Sequence, residues 1–490
     1  MPHLRHDSGE EQQVARGGTL KHRSTRAHFS MLLAAFGAPL LIGCISEDAG
    51  YQDVRKVVTS RTGHDVRWNH LEGEDAARKS VRESLKSPLT AETAVKVALL
   101  NNAHWQAAFE DLGVARADLV RAWRVPNPVA EAAVRFRKKE SATIDLSVTE
   151  DLSDLIFAPL RAGAARAELD AAKLEVAGRA MDLVLEVRSA FYGYLADQQI
   201  LEFRTTVLKA LEASATVAQG LHDAGNITDL DLANERVLYD EARVNVASAT
   251  TSLAASRQRL NSLLGLWGSD AAWTAVVRLV DPPEVPLVDV ESKAIENSVD
   301  LSIIRHRYAA AAKRANLATA DGWLPELKAG ATVEREEGEW SYGPLAEVQV
   351  PLFYQGQGEV ARAEAEMRRQ RQLLAAQATQ IRAAARAVAT RVAATRDRAV
   401  YTKTVLLPAR EQILNQTQLQ FNAMSISVFQ LLMAKRDQVE TARLYVESLR
   451  EYWTARAELE QLRSGRLPRT SPFVAAAVEG TPGSGRVNEH

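Results

Sequence analysis

From Leu160 to His222 the chain runs without a proline, and apolar residues recur at Val184, Val187, Phe191, Tyr194, Leu201, Leu208, Leu211 and Ala218, mostly three, four or seven apart. At 1.5 Å per residue a helix over that stretch is roughly 95 Å long, against a globular mean of about 12 residues. No ordinary globular core covers such an element, which leaves a coiled coil or the wall of a helical barrel. Composition agrees. Ala, Arg, Leu, Glu and Gln, all good helix formers, are in excess, and 26 Gly with 16 Pro are too few for an all-β chain of many turns.

The long segment belongs to a series of signals that occurs twice. Thr90, after Ser87-Pro88-Leu89, is placed to cap a helix running to about Trp123, and Val125-Pro126-Asn127-Pro128 stops it. The apolar period then switches to two. Ala130, Ala132, Val134 and Phe136 alternate with Glu131, Arg135 and Arg137; beyond Lys138-Lys139-Glu140, Ala142, Ile144, Leu146 and Val148 alternate with Ser141, Thr143, Asp145, Ser147 and Thr149. This predicts a hairpin with strands at about 129–137 and 141–149, apolar on one face and polar on the other. The long helix follows, Ala224-Gly225-Asn226 turns the chain, and Thr228 caps a returning helix to about Leu264.

The same order repeats over helices predicted at 292–323, 357–422 and 427–463, with strands at about 326–334 and 342–352. Leu327, Ala329, Ala331 and Val333, then Ala346, Val348, Val350 and Leu352, hold the apolar phase, with Trp340 and Tyr342 upstream and Glu347 and Gln349 on the polar phase. Gly225 to Leu232 aligns with Met424 to Leu431 at an offset of about 199, as do Arg257, Leu260 and Leu263 with Arg456, Leu459 and Leu462; Asn101-Asn102 aligns with Asn297-Ser298 at about 196. The period is far longer than a solenoid repeat, so a domain-sized module is duplicated. In each copy the two shorter helices sum to nearly the length of the long one, and stack end to end beside it. Pro408 is placed to kink the second long helix.

The expected organisation is a leader, 1–44; an extension, 45–87; repeat one, 88–264; a proline-bearing connector, 265–290; repeat two, 291–464; and a disordered tail, 465–490. In the leader a basic stretch meets an apolar run of about 14 residues from Phe29, short of the roughly 20 that span a bilayer. Leu41-Ile42-Gly43-Cys44 resembles a bacterial lipobox, which implies acylation of Cys44. Ile45 stands where lipoproteins retained at the inner membrane typically carry Asp, so the resemblance implies transport to the outer membrane.

With 60 Lys plus Arg against 62 Asp plus Glu, evenly spread, there is no footprint for nucleic acid, and one cysteine excludes a disulfide framework. No catalytic constellation is evident, so an enzyme is not expected. His64, His70, His104 and His222 are scattered, and Gly356-Gln357-Gly358 lacks the Lys-Ser/Thr of a phosphate loop. No metal or cofactor is expected beyond a lipid on Cys44.

Together these features resemble the outer membrane efflux protein family, the TolC family, in its lipoprotein branch. The Asn101-Asn102 opening, Leu221 to Thr228, and Val350-Pro351-Leu352-Phe353 followed by Gly356 and Gly358 carry the resemblance. It implies a mainly α fold with a small β part, in which duplicated units of long coiled-coil helices plus a β-hairpin trimerise into a 12-stranded outer-membrane β-barrel continued by a periplasmic α-helical barrel. The implied function is a passive channel exporting small molecules or ions, lipid-anchored in the outer membrane, working with a periplasmic adaptor and an inner-membrane pump. Glu131, Arg135, Asp145 and Glu347 then face the lumen. Gly225, Asn226, Thr228, Asp229, Asp231, Met424, Ser427 and Gln430 form the adaptor-facing tips, with Asp229 and Asp231 replacing an acidic ring that the family has near Gln430. Met424 stands where the family usually has Gly. The alternatives are an adaptor lipoprotein, which calls for one helical hairpin between lipoyl-like strands, and a poreless periplasmic coiled coil, which leaves the alternating strands unexplained.

Overall fold

A computed structural model describes residues 48–136, 142–276, 278–323 and 326–469. They fall within the unit Ser46–His490. Cys44, Lys138-Lys139-Glu140 and residues 470–490 lie outside the described residues.

In chain order the elements are α1 (Tyr51–Thr62), α2 (Asn69–Glu72), α3 (Glu74–Leu85), α4 (Ala91–Asn101), α5 (Ala103–Ala122), β1 (Val129–Arg135), β2 (Thr143–Asp151), α6 (Leu152–Asp223) and α7 (Asp229–Leu264). A connector with one 3₁₀ turn, Gly268–Ala271, leads to α8 (Val290–Glu296), α9 (Val299–Asp321), β3 (Leu327–Glu336), β4 (Glu339–Val348), α10 (Gln357–Tyr401), a π-helical segment at Thr402–Leu406, α11 (Leu407–Asn422) and α12 (Val428–Arg463). The duplicated order is therefore present in both halves.

The predicted opening helix is two helices in each repeat, and the asparagines are the reason. Asn102 has extended backbone and its side chain caps α5, accepting from Trp105 N at 2.9 Å, while its Nδ2 donates to Leu263 O. Asn101 Nδ2 donates to Leu264 O and Gly265 O at 3.0 and 2.7 Å. In repeat two Ser298 caps α9 and Asn297 Nδ2 donates to Arg463 O at 3.3 Å. Each break thus closes the carbonyls left open at the end of the returning helix. The approach is close enough to require glycine. A Cβ on Gly265 (φ +67°) would lie 2.5 Å from Asn101 O, and one on Gly465 (φ +96°) 2.0 Å from Asn297 O.

The long helix α6 has 72 residues, about 108 Å, and starts at Leu152 rather than 160 by running through Pro159. Pro408 is met differently: the π segment lies just ahead of it, and the helix resumes with the proline in its first turn. Strand β4 lies three residues earlier than predicted at its start, and Val350 and Leu352 fall beyond its end.

The unassigned extension is part of the core. Val54, Val58 and Val66 are fully buried, Tyr51, Trp68 and Phe109 pack ring to ring, and Phe109 also packs on Trp105, at centroid distances of 4.7 to 6.1 Å. Its polar face is tied in as well: Glu92 accepts from Arg188 at 2.8 Å and meets His64 at 3.1 Å. Residues 465–469, expected as the start of the tail, belong to the fold. Arg466 and Leu467 are buried, and Arg466 pairs with Asp182 and Asp300, with Nη2 2.7 Å from Asp182 Oδ2.

The four strands form one antiparallel sheet in the order β1-β2-β3-β4, so the hairpins of the two repeats pair through β2 and β3. Helix α6 packs chiefly against α5 and α7 of its own repeat and against α9 and α12 of the other; the main neighbours of α10 are all in its own repeat.

Candidate functional site

Register sorts the sheet side chains into two faces. Ala130 opposes Val148, Ala132 opposes Leu146, and Val134 opposes Ile144; Leu146 opposes Val333, and Val333 opposes Tyr342. Ala329, Ala331, Pro344, Ala346 and Val348 extend this apolar face. The other face carries all four predicted lumen residues: Glu131 opposite Ser147, Arg135 opposite Thr143, Asp145 opposite Glu334, and Glu347 opposite Lys328. Arg135 pairs with Asp145, and Lys328 lies between Glu326 and Glu347. Leu345, opposite Gly330, is an apolar residue on this polar phase.

The apolar face has no cover. Val134, Leu146, Val148 and Val348 are exposed, as are Trp340 and Tyr342 toward the β3–β4 turn. At the helix-proximal end Trp123, Trp323, Phe353 and Tyr354 are exposed too, with Phe353 at 95%. An apolar band between two sets of aromatics matches a bilayer with its two interfaces. No described helix is long and apolar enough to cross a membrane; this bears on helices and not on strands. Among the described residues the outer edges of β1 and β4 are unpaired, and such edges are tolerable in hydrocarbon only when closed on other strands.

At the far ends of the helices the two turns differ. In the first, Gly225 is left-handed at φ +75°, and Asn226 N donates to Leu221 O at 2.8 Å. Thr228 and Asp231 form a reciprocal capping box. Asp229, highly exposed, meets His222 Nε2 at 2.6 Å across the turn. This hydrogen bond raises the His222 pKa above its usual value. Asp229 and Asp231, the proposed ring acids, therefore each have a local partner. His222 was legible only as a lone histidine, although a separation of seven across a turn was a usable signal. In the second turn Met424 is forced to φ +55° and is 93% exposed, which explains why glycine suits the position. Ser427 has cap geometry without a side-chain cap bond, and Gln430 is exposed. Among the described residues no hydrogen bond or ion pair joins the two turns.

No family model matches the chain. It is 27% identical over 215 residues to the cobalt-zinc-cadmium resistance protein CzcC of Cupriavidus metallidurans, a match covering 43% of this chain and 50% of that one. The chain thus spans about half the length of this curated relative. Among solved structures it matches a membrane protein of Pseudomonas aeruginosa (TM-score 0.66, 18% identity, 76% of this chain and 92% of that). It also matches the outer membrane channel CmeC of Campylobacter jejuni (0.64, 12%, 79% and 88%) and the open state of the MtrE outer membrane channel of Neisseria gonorrhoeae (0.64, 14%, 78% and 90%). The fold is that of the outer-membrane channels. Its similarity in sequence is to CzcC over 215 residues, and its similarity in fold is to these outer membrane channels.

Proposed function

We propose that the protein is the outer-membrane channel of a tripartite efflux system, a passive homotrimeric duct from periplasm to exterior. The observation that carries this reading is the two-faced sheet with both edges open, fused to two long helical hairpins. Four strands are too few for a barrel, which starts at about eight; three chains supply twelve. Duplication indicates how the helices would close. Helix α6 is flanked by helices of both repeats, whereas the main neighbours of α10 are helices of its own repeat. Leu373, Val400 and Tyr401 on α10, and Val114, Val237 and Val244 on α5 and α7, are exposed and available to a neighbouring copy.

In this arrangement Glu131, Arg135, Asp145 and Glu347 line the pore, and the turns at Gly225 to Asp231 and Met424 to Gln430 meet the periplasmic adaptor, which links the duct to an inner-membrane pump. Cys44 carries the lipid anchor. Kinship to a cobalt-zinc-cadmium resistance protein makes divalent metal ions the first cargo to try. The test is conductance of the purified protein in planar bilayers, together with its mass in detergent. Trimers with discrete channel steps are expected; a monomer without conductance would overturn the reading. Cys44→Ala should abolish acyl labelling, and labelling that persists would remove the anchor assignment.

A further inference from the structure

The two tips differ in how far packing follows them. In repeat one, Ser214, Ala218 and Leu232 are buried close to the turn. In repeat two, α11 buries no side chain, and between Thr402 and Val439 none is buried at all. Val439, packed with Val207, Leu211 and Ala242, is the last buried apolar contact of α12 toward its turn. Beyond it the second tip is held chiefly by itself, through pairs such as Arg410 with Asp437 at 3.1 Å.

The π segment Thr402–Leu406 stands where this loosely held part begins. A π turn is a rare local departure from the α-helical ladder, and Pro408 supplies no N–H to a carbonyl of the preceding turn. Here one carboxylate from outside the hairpin reaches both of its legs. Asp281, in the connector between the repeats, accepts from Tyr445 Oη on α12 at 2.5 Å and pairs with Lys403 in the π segment. The connector is fixed independently on either side of it: Trp453 Nε1 donates to Val280 O at 2.8 Å, and Tyr452 Oη to Pro283 O at 2.7 Å. Asp281 therefore projects from a firm base onto the joint.

We propose that the π segment is a hinge for the second tip and that Asp281 is its latch. From the hinge to Met424 is about 30 Å of helix, so a 10° swing moves the turn by roughly 5 Å. On the channel reading, on which the consequence for transport rests, that movement sets the width of the periplasmic opening.

The test compares Asp281→Asn with Glu451→Gln, which breaks the Arg398–Glu451 pair above the hinge and serves as control. Hydrogen exchange is measured on the full-length protein, and conductance in bilayers. Asp281→Asn should speed exchange about tenfold over 403–436 and leave 229–242 unchanged, and should raise conductance; Tyr445→Phe should give a smaller change of the same kind. Equal exchange in Asp281→Asn and wild type, or the same loosening in Glu451→Gln, would overturn the latch. Faster exchange in Asp281→Asn with no conductance from any variant would support the hinge and sink the channel reading instead.

Discussion

The two repeats share a skeleton and differ in how it is fastened. Both break the opening helix at an asparagine, and both end the returning helix on a left-handed glycine, Gly265 or Gly465, pressed against that asparagine's carbonyl. The next residue then diverges. Leu266 is buried among apolar neighbours, whereas Arg466 is buried between two aspartates. At the tips the first turn carries glycine, a capping box and a histidine–aspartate pair, and the second carries a strained methionine and no side-chain cap. Backbone devices that any copy of the hairpin needs are retained. Side chains differ where each copy meets different neighbours, as α6 and α10 do.

The largest expected consequence lies at Arg466. Its side chain is 6% exposed, and those of Asp182 and Asp300 are 15% and 12%. Burial raises the Asp300 pKa, with the Arg466 charge opposing it. Arg466→Met leaves Asp300 buried without its cation and Asp182 with only the exposed Arg469 at 3.5 Å, and should cost about 3–5 kcal/mol. Adding Asp182→Asn and Asp300→Asn should recover much of that loss, since what remains resembles the apolar Leu266 end of repeat one. Urea unfolding of the purified protein reads both, and an unchanged midpoint for Arg466→Met would erase the contrast. A smaller loss, more than about 1 kcal/mol, is expected for Gly265→Ala and Gly465→Ala, the second being worse because its Cβ meets Asn297 O at the shorter distance. Equal tolerance of alanine at both sites would mean that the asparagine contact is not tight.

Capping separates the tips by less. Thr228→Ala removes the hydroxyl half of a capping box, leaving the backbone N–H of 228 on Asp231, and should cost about 1 kcal/mol, while Ser427→Ala, with no bond to lose, should change little. Hydrogen exchange at the first turn of α7 and of α12 distinguishes them. Comparable losses at both sites would show Ser427 to be a working cap.

Helices, hairpins and the duplication were legible because period and turn chemistry are local: Thr228, Gly225 and the alternation around Ile144 each declare their geometry within a few residues. Both faces of the sheet followed from phase alone. What was not legible depends on distant partners. Thr90 to Trp123 reads as one helix unless Asn101 is known to face Leu264, and Arg466 reads as tail until Asp182 and Asp300 are beside it. Residues 51–72 resisted assignment because their apolar positions are few, and their place in the core rests on Phe109 and Trp105 from a later helix.

The smallest expected difference is one of pH. His222 meets Asp229 Oδ1 at 2.6 Å and Asp223 at 3.6 Å, and its pKa is raised by the Asp229 hydrogen bond first. A raised folded-state value means that the pair stabilises the turn below the unfolded histidine value of about 6.5, and that this contribution is lost as pH rises through the folded value. Phe421 and Val428 occupy the corresponding places in repeat two, so that turn has no such titration. NMR of histidine-labelled protein should give His222 a midpoint above about 6.5, falling toward it in Asp229→Asn, with exchange at the second turn independent of pH over the same range. A His222 midpoint unmoved by Asp229→Asn would mean that the turn is closed by Gly225 and the capping box alone, and the two tips would then differ in backbone strain and capping but not in charge.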